Sequence, residues 1–404
     1  MTYPGRAAAP ALPLPRALWR QAARGVPDAG TLRLLRTART GRNLLLLRAL
    51  HRTRTGGPGG RLPGIDLLAA VRRHAPAVFD SVLSDPAAGA ALAEAVRTGR
   101  HGAVAVLAAA AGHRSGLAFR LDVPVSGGML VLPGLGHAVL GADAGATARV
   151  ERGAGGTVVR CGSQVVPVPD GPGWTPVPRL RFAAHGAELA VRLERHGPEG
   201  LGTAGPSGPE VVAGWRGRLG AAWEVLAARH PDRARAVGGT VRAVLPLDAA
   251  RSAPGGGQRL GASVGDAFGL VGLAPLDDPA GLAALLVHEA QHSLLYALQD
   301  LTRLIDAPPG ARAPAPWSDR PRPPSALLQG TAAFLVTAGF WRTEAALGNP
   351  RAPAPYEQWR LTARRACDEL ARGGWLTDHG RLLLDAIRTV LDEWDATPPP
   401  VRAR

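Results

Sequence analysis

The spacing of apolar positions divides the chain into three stretches. Residues 14–115 follow a helical period. "AGTLRLLRTARTGRNLLLLRALHR" carries leucines at helical spacing, with Gly41 expected to interrupt it, and "GIDLLAAVRRHAPAVFDSVL" is a second amphipathic piece. "TRTGGPGGRLPG" between them reads as a loop. Residues 116–196 change character: "LAFRLDVPV", "GMLVLPGLGHAVLG", "TARVERG", "GTVVRCGSQVVPV" and "AELAVRLERH" are short, β-rich and separated by Gly or Pro, as in a strand meander. "HGPEGLGTAGPSGPEV" reads as a linker or long loop. From Val211 the pattern is mainly helical again, with one strand-like insert, "GASVGDAFGLVGL". These patterns predict an α+β protein with a helical N-terminal region (1–115), a β-rich region (116–200) and a mainly helical domain (201–404).

One helical segment, "LAALLVHEAQHSLLYAL", combines apolar residues around most of its circumference with three polar residues in the middle. A helix apolar all round is a buried helix. Burying His288, Glu289 and His292 without partners would cost several kcal/mol, so something must satisfy them, and a metal ion is the simplest candidate. Asp277 and Asp278 are suited to capping and Pro279 to the first turn; the helix is expected to run to Ile305, before "DAPPG". His288 and His292 are four apart, so both rings leave one face and can share an ion. Glu289 lies about 100° around the helix, where it can reach a metal-bound water or hold a ligand. The extended HExxHxxGxxH protease motif is excluded, because Leu295 and Leu298 stand where it needs Gly and His. Asp300 is about 12 Å along the axis from His292, too far to share its ion. Glu344 is a candidate third ligand from a later helix, although a solvated position is the stronger reading for it.

Composition adds a net charge of +15, and all 47 basic residues are Arg. With Ala, Gly and Pro also abundant, part of this excess reflects GC-rich coding. Arg33, Arg36, Arg39, Arg42, Arg48, Arg52 and Arg54 occupy one segment whose only nearby acid is Asp28. Such a run can attract nucleic acid or an acidic leader peptide. No aromatic residues interleave with it and no nucleic-acid motif accompanies it, so a solvated face is favoured. Two cysteines, Cys161 and Cys367, make neither a disulfide framework nor a thiolate site. The first residues lack the layout of a secretory signal, and the apolar run Ala103 to Gly112 is too short to span a bilayer, so a cytoplasmic protein is expected. "GLGHAVLG" lacks the spacing of a nucleotide-binding glycine loop. "SVGDAFGLVGL" alternates like a strand; beside a cleft such a strand can pair with a peptide, and otherwise it is an ordinary core strand.

"VLPGLGHAVLG", "SVGDAFGLVGL", "LVHEAQHSLLYAL", "APWSDRPRPPSALLQGTAAFLVTAGFWR" and "GGWLTDHGRLLL" occur in this order across most of the chain. Together they resemble the actinobacterial HExxH-motif peptide-modification proteins. That family is described as iron- and 2-oxoglutarate-dependent β-hydroxylases of ribosomally made peptides. After the HExxH helix the family pattern reads Pro-Trp-Arg-x-Asp-Pro-Arg-Pro, then Leu-His-Gly. Trp317, Pro321, Arg322, Pro323, Leu328 and Gly330 fit it. Ser318 stands in place of Arg, Arg320 in place of Asp, and Gln329 in place of His, the family's natural third ligand.

The resemblance implies Fe(II) held by His288 and His292, with Gln329 as a weaker amide ligand. It implies 2-oxoglutarate anchored by Arg322 or the displaced Arg320, whose guanidinium forks suit a carboxylate. The implied partner is a ribosomally synthesised precursor peptide; a nucleic-acid or membrane partner is not expected. Three readings compete: an active or weakened peptide hydroxylase first, a non-catalytic peptide-binding relative second, and a zinc metallopeptidase third. In the last, Glu289 is the catalytic general base on a zinc-bound water. In the hydroxylase no activated water is needed, and Glu289 has no defined role.

Overall fold

The computed structural model describes residues 14–55, 61–141, 146–198, 208–247 and 260–397. The fold is α+β, as the patterning predicts. Among the described residues six helices come first: α1 (Arg16–Arg24), α2 (Ala29–Thr55), α3 (Ile65–His74), α4 (Pro76–Leu83), α5 (Pro86–Thr98) and α6 (Gly102–Ser115). Nine strands follow: β1 (Phe119–Pro124), β2 (Met129–Leu132), β3 (Gly136–Val139), β4 (Thr147–Gly153), β5 (Gly156–Cys161), β6 (Gln164–Val168), β7 (Trp174–Pro176), β8 (Arg179–Ala184) and β9 (Ala187–Leu193). Then come α7 (Pro209–Arg229), α8 (Pro231–Thr240), β10 (Ala243–Pro246), β11 (Gly261–Ser263), β12 (Leu270–Leu273), α9 (Pro279–Leu301), β13 (Ala313–Ala315), β14 (Ser318–Arg322), α10 (Pro324–Ala346), α11 (Pro353–Gly373) and α12 (Asp378–Ala396).

Two elements differ from their sequence expectation. α2 runs unbroken through Gly41, where a Cβ would meet nothing within 4 Å. The glycine costs about 1 kcal/mol of helix propensity. Burial of Leu32, Leu35, Leu47 and Leu50 on either side outweighs that cost. "GASVGDAFGLVGL" is not one strand but two, β11 and β12, paired antiparallel.

The β-rich stretch splits between sheets. β1-β4-β5-β6 and β2-β3-β7 are antiparallel and pack on α6, with Val123, Leu132, Val150 and Val159 buried against Ala105 and Ala109. β8 and β9 instead join a five-stranded sheet of order β11-β12-β10-β9-β8. β9 pairs parallel with β10, and β10 parallel with β12. The sheet therefore crosses the boundary expected near residue 200. β10 and β12 are four-residue strands buried at every position. Strands covered on both faces show no alternation to read.

The N-terminal boundary is crossed as well. Leu18, Trp19, Leu32 and Leu35 of α1 and α2 share a core with Leu294, Leu295 and Leu298 of α9 and with residues of α10 to α12. The other end of α2 packs with α3 to α6 around a separate core. The arginines of α2 are not one solvated face. Arg36 donates to the Gly239 carbonyl, Arg39 to Asp300 and the Gly265 carbonyl, and Arg42 to Asp266. Arg33, Arg48 and Arg52 stay exposed; the Arg54 side chain lies outside the described residues. Among the described residues no helix is long and apolar enough to cross a membrane.

Candidate metal centre

α9 is the buried helix its composition predicts. It starts where expected: the Asp278 side chain accepts from the Ala280 and Gly281 N–H groups, and Pro279 occupies the first turn. Asp277 pairs with Arg218 instead of capping. The helix stops at Leu301, not Ile305, because Thr302 turns to extended backbone and the chain continues beside Leu376, to which Ile305 bridges.

Neighbours brought from elsewhere bond one nitrogen of each histidine in the HExxH segment. Thr337 on α10 donates its hydroxyl to the Ala333 carbonyl at 2.8 Å. Its oxygen is therefore the acceptor in the 3.1 Å contact with His288, and His288 Nδ1 carries the proton. Gln329, also on α10, donates its amide to Gln299 Oε1 at 3.2 Å. Its Oε1 accepts from His292 Nδ1 at 3.1 Å. Both imidazoles are thus assigned the Nδ1–H tautomer. The Nε2 of each makes no hydrogen bond to a described residue. Burial, and secondarily the neighbouring His292, hold His288 well below the usual imidazole range, so it is neutral at pH 7. Neutral imidazoles with one nitrogen donated and the other free are the form that binds a divalent metal.

Glu289 is buried and faces β11. Ser263 donates to its Oε2 at 2.5 Å. A Cβ on Gly261 would overlap Glu289 Oε1, so glycine is needed where this strand passes the carboxylate. One ligand atom each from His288, Glu289 and His292 lie within 4.8 Å of one another. Two imidazoles and a carboxylate at this separation are a fitting donor set for a first-row metal. The histidines would hold the ion directly, with Glu289 within reach of it or of a bound water.

These groups open into a cleft of about 390 Å³ between β11, α9, α10 and the β13–β14 hairpin. Its apolar side is aromatic. Trp317 packs against the Gly330 backbone and lies 4.9 Å from the Phe334 ring, which meets His288 edge-on at 5.1 Å. Arg322 lines the cleft and its Nε donates to Ser318 Oγ at 3.1 Å. Ser318, where the family pattern has Arg, thereby tethers an arginine. Arg320 is exposed and is not part of the cleft lining.

The structure brings His288, Glu289, His292, Gln329 and Arg322 together. It sets Gln329 behind His292, bonded to the ring nitrogen opposite the free one, where the resemblance implied a direct ligand. Glu344 is neither a ligand nor solvated. It is fully buried about 22 Å along α10 from Gln329. There it accepts from Arg229, His230 and Asn349. Asp300, excluded as a ligand by its distance, receives Arg39. Sequence reasoning did not single out Tyr296, Thr337 or Ser263. Tyr296 had a readable signal, since it is four residues beyond His292 and so on the same face. Burial, then the Glu289 charge, raises its phenol pKa and keeps it protonated. Thr337 and Ser263 had none, because they arrive through tertiary packing. Compared with known proteins, no family model and no curated protein matches this chain.

Proposed function

We propose that the protein is a metal-dependent enzyme that hydroxylates a side chain of a ribosomally made precursor peptide with Fe(II) and 2-oxoglutarate. The supporting observation is the pair of donated Nδ1–H bonds, His288 to Thr337 and His292 to Gln329, which leaves two Nε2 atoms for an ion. Bound iron would let dioxygen act as the oxidant of a carbon–hydrogen bond, one oxygen atom going to the hydroxyl and the other to the succinate formed, with CO2, from 2-oxoglutarate. The chain's own residues would do the rest. His288 and His292 hold the ion, and Thr337 and Gln329 fix the ring orientations. Arg322 receives a carboxylate on the rim, while Arg320 stays in solvent. The edge strand β11 forms one wall of the cleft and can pair with an extended peptide. Trp317 and Phe334 exclude water from the other wall. The iron and 2-oxoglutarate assignment rests on the family resemblance.

A zinc peptidase is the second reading, favoured by the Glu289 carboxylate beside both histidines. Glu289 would then take the proton from a water attacking a peptide carbonyl. Anaerobically purified protein, reconstituted with Fe(II) or Zn(II), separates the possibilities. The expected result is about one iron per chain and, once air is admitted, slow succinate formation from 2-oxoglutarate, both lost in His288→Ala and His292→Ala. Zinc-dependent cleavage of casein without succinate would replace the hydroxylase by the peptidase. Negligible metal in all three proteins would leave a non-catalytic peptide-binding relative.

A further inference from the structure

A second cavity, of about 650 Å³, lies away from the metal centre. It is enclosed by β2, β3 and β7, the ends of β9 and β10, and the first turns of α7. Its volume is in the range of small-molecule sites. Most of the wall is apolar, built from Val131, Val177, Pro178, Val211, Val212 and Pro246.

The polar groups on that wall share one tendency. His137 is 8 % exposed, lines the cavity and makes no hydrogen bond to a described residue. Its ring meets His196 edge-on at 5.1 Å. Among the described residues the buried Nε2 of His196 has no hydrogen-bond partner, and neither does the buried Nε of Arg195. Arg195 and Arg216 both line the cavity and form no ion pair with any described residue. The acid among the described lining residues, Glu194, is taken by Arg192 at 2.7 Å. α7 begins at the same wall without a side-chain cap; Pro209 has no N–H, so the N–H groups of Glu210 and Val211 are the ones without a helical partner, and the exposed Glu210 carboxylate is not part of the cavity lining. Burial, reinforced by Arg195, lowers both histidines below the usual imidazole range. At pH 7 they are neutral hydrogen-bonding groups, and the positive charge comes from the arginines.

Two arginines without an ion pair and two imidazoles without a hydrogen bond among the described residues, with an uncapped helix start, surround an apolar hollow and suit an anion with a hydrophobic body. We infer that this cavity binds a small amphipathic carboxylic acid, its carboxylate held by Arg195, Arg216 and the α7 N-terminus and its apolar portion against the valine and proline wall. The site does not depend on the metal centre or on its proposed reaction.

Calorimetric titration of the full chain with octanoate, octanol and inorganic phosphate tests this directly. Octanoate should bind at one saturable site, with octanol at least about tenfold weaker and phosphate unable to displace octanoate. Arg216 is exposed, so Arg216→Glu should keep the fold by circular dichroism while weakening octanoate about tenfold and leaving octanol unchanged. Ala213→Trp, on the exposed rim, should weaken both. Equal binding of octanoate and octanol, octanoate binding untouched by Arg216→Glu, displacement by phosphate, or no saturable binding would each overturn the inference.

Discussion

His292 donates Nδ1–H to Gln329 Oε1 at 3.1 Å, and the Gln329 amide is itself held by Gln299 at 3.2 Å. This relay makes Gln329 a support for the orientation of His292, a candidate metal ligand. Outer groups of this kind change metal affinity about 10- to 100-fold when removed. Gln329→Leu should therefore weaken iron or zinc binding by about that factor with both histidines intact. Gln329→Glu, which keeps an acceptor, should bind at least as tightly as wild type. Competition with a fluorescent chelator measures both. Equal affinity in the Leu variant would show that the relay does not orient His292.

Gly261 tests Glu289 separately from the histidines. A Cβ at position 261 would collide with the Glu289 carboxylate and lie 2.8 Å from Leu285. Gly261→Ala should displace Glu289, cost about 1–3 kcal/mol from overpacking, and leave the His288–His292 pair able to bind metal. A variant that keeps its metal but loses turnover would give Glu289 a chemical role. Full turnover with normal metal content would limit it to a structural one.

The Arg39–Asp300 pair, at 2.8 Å with Arg39 nearly buried, ties α2 to the end of the HExxH helix. Arg39 also holds the Gly265 carbonyl, in the turn that packs on Tyr296. Removing one partner of a buried pair costs about 3–5 kcal/mol. Asp300 keeps Arg42 at 3.5 Å, so Arg39→Ala should lose stability toward the low end of that range in urea unfolding, and hydrogen exchange should rise first around residues 264–269. A loss below about 0.5 kcal/mol, typical of surface substitutions, would mean the pair is not a clamp.

Glu344 is expected to stabilise the fold without touching the metal. Burial raises its pKa, but the bonds from His230 and Asn349 and the Arg229 charge outweigh burial, so the net shift is downward. A carboxyl whose pKa is lowered by folding contributes stability above its unfolded value. That contribution is lost as pH falls through the folded value. Glu344→Gln should therefore be destabilised at pH 7, with the gap to wild type closing at acidic pH below the ordinary Glu value of 4.5. Metal content at pH 7 should not change. A gap independent of pH would contradict the ionised buried carboxylate.

The candidate ligand pair was legible because its geometry is local. Four residues of helix put His288 and His292 on one face, and the surrounding leucines showed that the face is buried. The start of α9 was legible for the same reason, since Asp278 and Pro279 act within one turn. The end was not: α9 stops at Leu301 because the chain pairs near Leu376, and nothing within the helix records that contact.

Sequence alone determined that this is an α+β chain with a HExxH pair on a buried helix, because helical period, capping and i,i+4 spacing act over a few residues. Tertiary structure decided what those residues contact. It brought Thr337 and Gln329 to the histidine rings, Ser263 to Glu289, and Asp300 to Arg39 from 261 residues away in sequence. It also joined β9 to β10 across the expected domain boundary and paired the buried Glu344 with the half-exposed Arg229. A side chain's hydrogen-bond partner depends on which faces of distant elements meet, and local periodicity carries no record of that meeting.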